Sequence, residues 1–180
     1  MRVGLGLSFP MKKVNPLPAL SRTLAARPIA MRTAPVVLTL DRTVRRITRG
    51  RSGILDVAGL PSLELTVAGR RSGLARTVSL LYVPDPRDPD TFLLIGSNWG
   101  RTRHPEWSAN LAAAERAELH WRGERFEVEV HRLASADRER AWERAVAFWP
   151  GYVMEQQLAG DRIFRLFELR RRVPRAHCRL

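Results

Sequence analysis

Apolar and polar residues alternate with a period of two in much of the chain after residue 62. In Leu63–Val67 the apolar residues are separated by Glu64 and Thr66, and the same alternation returns over 78–82. A period of two predicts β-strands with one buried face. Further predicted strands are Thr91–Gly96, a hairpin of 119–121 and 125–131 around Gly123, and a last strand over 163–169.

Two other segments show the period of a helix. Pro105 is well placed to open a helix with Trp107 and Leu111 on its inner face. Ser135 is predicted to cap a second helix. The apolar stripe of that second helix comprises Trp142, Ala145, Val146 and Trp149. Strands joined mainly by hairpins, with helices attached, predict an α+β fold built on an antiparallel sheet or barrel.

The chain before residue 54 has a different character. Four prolines between residues 10 and 28 argue against a long helix, so residues 1–34 are predicted to be a poorly ordered basic segment. Residues 35–50 predict a short amphipathic basic helix, which either packs on its own domain or lies on an anionic bilayer. The folded domain is expected over 54–169 and a basic tail over 170–180.

The net charge of +13 is carried by the two ends of the chain. Residues 1–51 contain 11 basic residues and one acidic residue, and 169–180 contain five basic residues and no acidic one. A nucleic-acid-binding domain carries its basic face on the folded part, so nucleic acid is not an expected partner. Basic ends suit an anionic surface. We therefore expect a cytoplasmic protein, with the inner face of the cell membrane as a peripheral contact.

Several kinds of active site are missing from the sequence. The single cysteine excludes a disulfide framework or thiolate cluster, and the four histidines lack metal-ligand spacing, so no metal is expected. No nucleophile elbow, P-loop or dinucleotide-binding glycine motif is present. The longest runs without charge have ten residues, against about 20 for a membrane span. A reactive group would therefore belong to a cofactor.

The segment Gly69–Arg76 is rich in groups that bind anions. Its two glycines permit a tight turn between strands, and its backbone amides and the Ser72 hydroxyl can donate hydrogen bonds to an anion. Arg70, Arg71 and Arg76 add cationic forked donors. This chemistry suits a phosphate or a polyacid, and the alternative is an ordinary hairpin with surface arginines.

Two further segments combine small and aromatic residues. Gly96–Gly100 follows an apolar strand, where small residues admit a flat ring and Trp99 offers a stacking face. The alternative is a glycine-bounded turn. Phe148–Tyr152 joins aromatic surface to one phenol at the end of a predicted helix, and the alternative is a core aromatic cluster.

Together these segments resemble the deazaflavin-dependent nitroreductase family, which has the FMN-binding split-barrel fold. The matching segments, in order along about residues 55–169, are Leu65–Arg76, Leu80–Tyr82, Gly96–Gly100, His104–Leu111 and Trp149–Tyr152. The resemblance implies an antiparallel split β-barrel with flanking helices. It also implies coenzyme F420 as cofactor, an 8-hydroxy-5-deazaflavin with a phospholactyl-oligoglutamate tail.

The resemblance further implies a role for individual residues. The family's arginine-rich loop grips the phosphate and the acidic tail, which here implies Arg70, Arg71, Ser72, Gly73 and Arg76. The remaining implied cofactor-binding residues are Leu81, Ser97, Asn98, Trp99, Gly100, Trp107 and Asn110. The implied catalytic residues, which face or cap the substrate, are Ser97, Trp149 and Tyr152.

The activity implied is hydride transfer from reduced F420 to a quinone, nitroaromatic or enone, and the N-terminal helix looks like the family's membrane-associating segment. The sequence departs from the family pattern at Ser79, where proline is usual, at Trp149, and at Glu155, where a third tyrosine is expected. The alternatives are an FMN enzyme of the same barrel and a non-catalytic carrier of deazaflavin or lipid. Three loop arginines suit the long acidic tail of F420 better than the single phosphate of FMN.

Overall fold

The computed structural model of the chain describes residues 60–172. Within these residues the strands are β1 (Ser62–Ala68), β2 (Ala75–Leu81), β3 (Val83–Pro84), β4 (Thr91–Ile95), β5 (Arg116–Trp121), β6 (Glu124–Arg132) and β7 (Leu166–Arg171). The helices are α1 (Glu106–Leu111), α2 (Ser135–Phe148) and α3 (Gly151–Leu158), with a 3-10 turn at Asn98–Gly100. The predicted N-terminal segment 1–34, the helix 35–50 and the tail beyond residue 172 lie outside the described residues.

The seven strands form one antiparallel sheet in the order β2-β1-β5-β6-β7-β4-β3. The β1–β2 hairpin pairs Ser62 with Leu81 and Ala68 with Ala75. The β5–β6 hairpin closes through Arg122 and Gly123, which both have positive φ, as a tight two-residue hairpin turn requires. The predicted α+β class and antiparallel sheet with flanking helices are thus confirmed.

Both faces of the sheet carry a hydrophobic core. In β4, Phe92 and Leu94 enter one core while Leu93 and Ile95 enter the other, because successive side chains of a strand point to opposite faces. The first core includes Leu63, Leu65, Leu119, Val128 and Phe167 from the inner face of the sheet. The second lies beneath α2 and α3 and includes Ala141, Ala145, Tyr152, Phe164 and Leu166. Two cores explain why β4 reads as an uninterrupted apolar run.

Three local predictions differ from the structure. Ser135 does not cap α2 from outside: it is the first residue of the helix, Ala134 occupies the N-cap position, and no side chain caps it. The last strand begins at Leu166, and Ile163 is exposed rather than paired. The helix α3 was not predicted, because Pro150 interrupts the helical pattern. Pro150 instead separates two helices and precedes the first residue of α3.

The helices of the described region are short. None of them within residues 60–172 is both long and apolar enough to cross a membrane.

Candidate functional site

A tight loop joins β1 to β2. The Gly69 amide donates to the Leu74 carbonyl at 2.9 Å, and the Gly73 amide donates to the Gly69 carbonyl at 2.7 Å. Gly73 has a φ of +67°, and a Cβ at Gly69 would come within 2.8 Å of the Ser72 Oγ. Glycine is therefore favoured at Gly73 by its conformation, whereas a side chain at Gly69 would need only the Ser72 hydroxyl to turn aside.

The tip of this loop carries donors without protein acceptors. Among residues 60–172, the backbone amides of Arg71 and Ser72 and the guanidinium groups of Arg71 and Arg76 have no hydrogen-bond or ion-pair partner. Arg70 pairs with Glu106 at 3.1 Å, but that carboxylate is largely exposed, so the pair is weak. The loop is consequently a concentration of positive charge and N–H donors, and within residues 60–172 only the exposed Glu106 carboxylate pairs with it.

Helix α1 holds the loop in place. The Arg70 amide donates to the Asn110 Oδ1 at 3.2 Å, and Asn110 is buried. Trp107, one turn earlier, packs its ring 6.1 Å from that of Phe167 in the core. A groove of about 490 Å³ lies between the loop and α1. It is lined by Gly69, Arg70, Arg71, Ser72, Arg76, Val78, Glu106, Trp107 and Asn110.

The segment Gly96–Gly100 forms a second feature that also contacts α1. A Cβ at Gly96 would lie 3.5 Å from the Cβ of Ser108 in that helix. Asn98 and Trp99 have φ values of 50° and 56°, a left-handed conformation that is unusual for residues other than glycine. Such strained backbone persists only where the surroundings hold it.

Arg162 supplies much of that support. Its guanidinium donates to the carbonyl oxygens of Gly96 at 2.9 Å, Ser97 at 2.5 Å and Arg101 at 2.8 Å. The imidazole of His104 lies beside the Arg162 guanidinium. Burial and the charges of Arg165 and Arg162 together lower the pKa of His104. Arg162 thus fixes the direction of the Ser97 backbone, a role that no sequence pattern indicated.

Helix α3 lies against the same turn. Tyr152 is buried in the helix-side core, where its ring centroid lies 6.4 Å from that of Trp142. Burial, and to a smaller extent the charge of Glu155, raises the pKa of the Tyr152 phenol. Glu155, one turn later, is only 5% exposed. Burial raises the pKa of Glu155, while the Ser97 hydroxyl and the Arg162 charge oppose that rise.

The structure therefore divides the predicted site residues between two neighbouring places. The groove brings together Arg70, Arg71, Ser72, Arg76, Trp107 and Asn110. Ser97, Asn98, Trp99 and Gly100 lie on the turn against α3, whereas the half-buried Trp149 and the buried Tyr152 belong to the helix-side core. Gly73 and Leu81 do not line the groove.

Two polar residues of the turn site were missed as functional candidates. Glu155 was noted only as a departure from the family pattern, although a carboxyl three residues after an inward-facing tyrosine lies on the same helix face. No sequence pattern pointed to Arg162, because the acceptors of its hydrogen bonds at the turn are backbone carbonyl oxygens, which every residue type has. Residues 60–172 contain no cluster of three histidine, cysteine or carboxylate side chains that could hold a metal.

Comparison with known proteins gave concordant matches. The family model described as F420H(2)-dependent quinone reductase matches residues 39–165. The F420H(2)-dependent quinone reductase Rv1261c of Mycobacterium tuberculosis (strain ATCC 25618 / H37Rv) is 33% identical over 109 residues, or 59% of this chain and 71% of that protein.

Solved structures agree in fold. A structure described as an F420-H2 dependent reductase (FDR-A) superposes with a TM-score of 0.53 at 25% identity, covering 61% of this chain and 93% of that one. A structure described as a domain-swapped dimer has a TM-score of 0.55 at 24% identity, covering 71% of this chain and 94% of that one. The second likeness shows the fold alone.

Proposed function

The chain belongs to the F420H(2)-dependent quinone reductase family, and from this premise we propose that it transfers hydride from reduced coenzyme F420 to a quinone. The resemblance read from the sequence is confirmed, and the protein is an oxidoreductase whose cofactor is coenzyme F420. This removes the alternatives of an FMN enzyme and of a non-catalytic carrier. The individual site residues and the range of acceptors belong to the proposal.

The observation that carries the proposal is the groove between the β1–β2 loop and α1. The guanidinium groups of Arg71 and Arg76 and the loop-tip amides lack protein acceptors among the described residues, and unpaired cationic donors around a cavity suit a polyanion. The phosphate and carboxylates of the F420 tail have this chemistry. We place them on Arg70, Arg71, Ser72 and Arg76, with Trp107 and Asn110 as the supporting wall. Gly73 belongs to the same loop, whereas Leu81 lies at the opposite end of β2, paired with Ser62.

The turn Gly96–Gly100 is the proposed place of the deazaflavin ring. The turn contacts Ser108 of α1, the helix whose Glu106, Trp107 and Asn110 line the groove, and we propose that one elongated molecule occupies both places. Once bound and reduced, the deazaflavin supplies the hydride. Asn98, Trp99 and Gly100 shape the backbone against which the ring rests, and Arg162 keeps that backbone fixed.

Ser97, Tyr152 and Trp149 are the proposed residues at the electron acceptor. A hydroxyl donor aimed at a carbonyl oxygen stabilises the negative charge that develops there as hydride arrives. A tyrosine phenol is a neutral donor at neutral pH, and burial raises the pKa of Tyr152 further above its ordinary value. The same polarisation applies to a nitro group or an enone carbonyl, so we extend the proposal to these acceptors.

We also propose that the protein is cytoplasmic and makes peripheral contact with the membrane. The support is the charge of residues 1–51 and the apolar stripe within 35–50, since quinones partition into bilayers.

Turnover with menadione and reduced F420 tests the proposed reaction. We expect oxidation of the cofactor that depends on both the protein and menadione, and little reaction when reduced FMN replaces reduced F420. Ser97→Ala should lower kcat by roughly 10- to 100-fold without changing the F420 Kd, because it removes one donor at the acceptor. Turnover that is as fast with FMN, or that requires no acceptor, would contradict the proposal.

A further inference from the structure

Two arginines at the end of the sheet project from the same face. Arg132 in β6 lies directly opposite Phe167 in β7, and opposed residues of paired strands project to one face. Arg165 lies two residues before Phe167, so it projects to that face as well. The Arg165 carbonyl accepts the Gly96 amide at 2.8 Å, which extends the β4–β7 pairing by one residue. Arg132 and Arg165 are therefore diagonal neighbours across β6 and β7, close enough for long side chains to meet.

The contacts around these two arginines are with neutral groups. Phe167, which adjoins both, is fully buried, and its ring centroid lies 6.1 Å from that of Trp107. The Arg165 Nη1 donates to the Ser108 Oγ of α1 at 3.4 Å, a long hydrogen bond. The Ser108 hydroxyl donates its own hydrogen to the Pro105 carbonyl at 2.8 Å. Among residues 60–172 the Arg165 guanidinium thus has one protein acceptor, a neutral oxygen.

Neither arginine has a carboxylate partner in the part of the chain that the structure describes. Arg132 is exposed, and Arg165 is half-buried. Burial, followed by the charges of Arg132 and Arg70, lowers the pKa of Arg165. Neighbouring cations repel one another, and burial removes part of the water that would screen them. A bound anion would relieve both costs.

His104 senses the same charges. Its Nδ1 lies 3.5 Å from the Arg162 Nη1. Burial, followed by the charges of Arg165, Arg162 and Arg132, lowers the pKa of its imidazole, and every one of these charges is positive. An anion placed among them has the opposite effect on the pKa. His104 is therefore a reporter of an anion bound at the two arginines.

We propose that Arg132 and Arg165 form a second oxyanion-binding site, which takes a carboxylate or a phosphate group. Their guanidinium groups supply charge-assisted donors. Neither arginine lines the groove, but Trp107 does, and it packs on the Phe167 that adjoins both arginines. Two sources supply such a group: a free anion, or a glutamyl carboxylate of the F420 tail that extends beyond the groove. The second source rests on the proposed function.

The first test needs no cofactor. The pKa of His104 is measured by NMR in sodium chloride and in sodium sulfate at equal ionic strength, because sulfate keeps its charge throughout the titration. Sulfate at the site should raise the His104 pKa by about one unit. Arg165→Gln should raise this pKa in chloride, since it removes a cation, and should abolish the further rise in sulfate.

Three more variants make this readout specific. Arg132→Gln changes an exposed residue, so it should fold normally, and it should raise the sulfate concentration at half-response about tenfold. Arg71→Ala removes a groove arginine and should leave the response of His104 unchanged. Arg138→Gln removes an exposed arginine of α2 that has no ion pair among the described residues, and it should match the wild type.

The second test identifies the source of the bound group. F420 with its oligoglutamate tail is titrated beside a form that ends at the phospholactyl group. If a tail carboxylate occupies the site, Arg132→Gln and Arg165→Gln should each weaken binding of the full cofactor about tenfold and leave the shortened form unchanged. Arg71→Ala should weaken both forms, because it acts at the groove. If a free anion occupies the site, the two site variants should bind both forms like the wild type.

The outcomes separate this site from the proposed function. A sulfate response that Arg165→Gln abolishes, or a tail-dependent loss in both site variants, supports the site. The proposal is overturned if sulfate leaves the His104 pKa unchanged and neither site variant weakens binding of the full cofactor. It is also overturned if Arg138→Gln loses as much as the site variants, because the effect would then be one of net charge. A chain that binds no form of F420 refutes the proposed function, while the sulfate response still decides the site.

Discussion

Gly100 is the point where the proposed ring-binding turn touches α3, and Gly100→Ala should damage both stability and cofactor binding. Gly100 has a φ of +69°. A Cβ there would lie 2.8 Å from the Glu155 carbonyl oxygen and 2.9 Å from the Leu158 Cβ. The obstacles are the backbone of α3 and the root of a side chain, so the turn and the helix must separate.

The size of the effect follows from two contributions. A left-handed conformation costs a residue with a Cβ about 1–2 kcal/mol. Overpacking against atoms that cannot move costs about 1–3 kcal/mol more. Gly100→Ala should therefore lower the free energy of unfolding by about 2–5 kcal/mol, a large share of the stability of a small domain.

Gly160 provides a matched control for the steric contribution. It has a similar φ of +63°, but a Cβ there would meet nothing within 4 Å. Gly160→Ala should cost only the conformational 1–2 kcal/mol. Urea unfolding of the three proteins measures the difference, and F420 titration should show weaker binding for Gly100→Ala alone. Equal losses in the two variants would refute the close contact between the turn and α3.

Three further predictions concern the acceptor site, the helix-side core and the N-terminus. Tyr152→Phe should lower kcat with menadione by on the order of 10² and leave the F420 Kd unchanged, and a large loss of F420 affinity would assign Tyr152 to the core instead. Asp85→Ala removes a carboxylate that pairs with the mostly buried Arg144 and should cost about 1.5–3 kcal/mol in urea unfolding; no loss would show that Glu168, 3.8 Å from the same guanidinium, is a sufficient partner. Removing residues 1–49 should leave a folded, F420-binding protein that no longer co-sediments with anionic liposomes at low salt, and aggregation of the shortened protein would place the helix in the core.

The sheet was predictable because its strands follow simple rules. The alternation in Leu63–Val67 and the Gly123 turn fixed two hairpins, which the structure contains. The order of strands was not predictable, since β1 pairs with β5 across some 50 residues of chain. Non-local pairing of this kind depends on the packing of both cores rather than on any local pattern.

The candidate site was predictable where it depends on local chain composition. The donor residues of the loop Gly69–Arg76 are close together in the sequence and could be identified there. The resemblance to a known family identified two further site residues, Trp107 and Asn110, on the helix that supports the loop. The environment of Ser97 was not predictable. Glu155 and Arg162 come from later parts of the chain, and only folding brings their polar atoms to one turn.

Direct titration of the wild type with F420 and with FMN tests the central claim that the groove binds the acidic tail of F420. We expect clearly tighter binding of F420. Arg71→Ala and Arg76→Ala should each weaken it about tenfold or more, because a charge-assisted contact is worth about 1.5–3 kcal/mol. Arg87→Ala, which removes an exposed arginine outside the groove, should bind F420 like the wild type. Equal affinity for FMN and F420, or unchanged F420 affinity in both groove variants, would contradict the account.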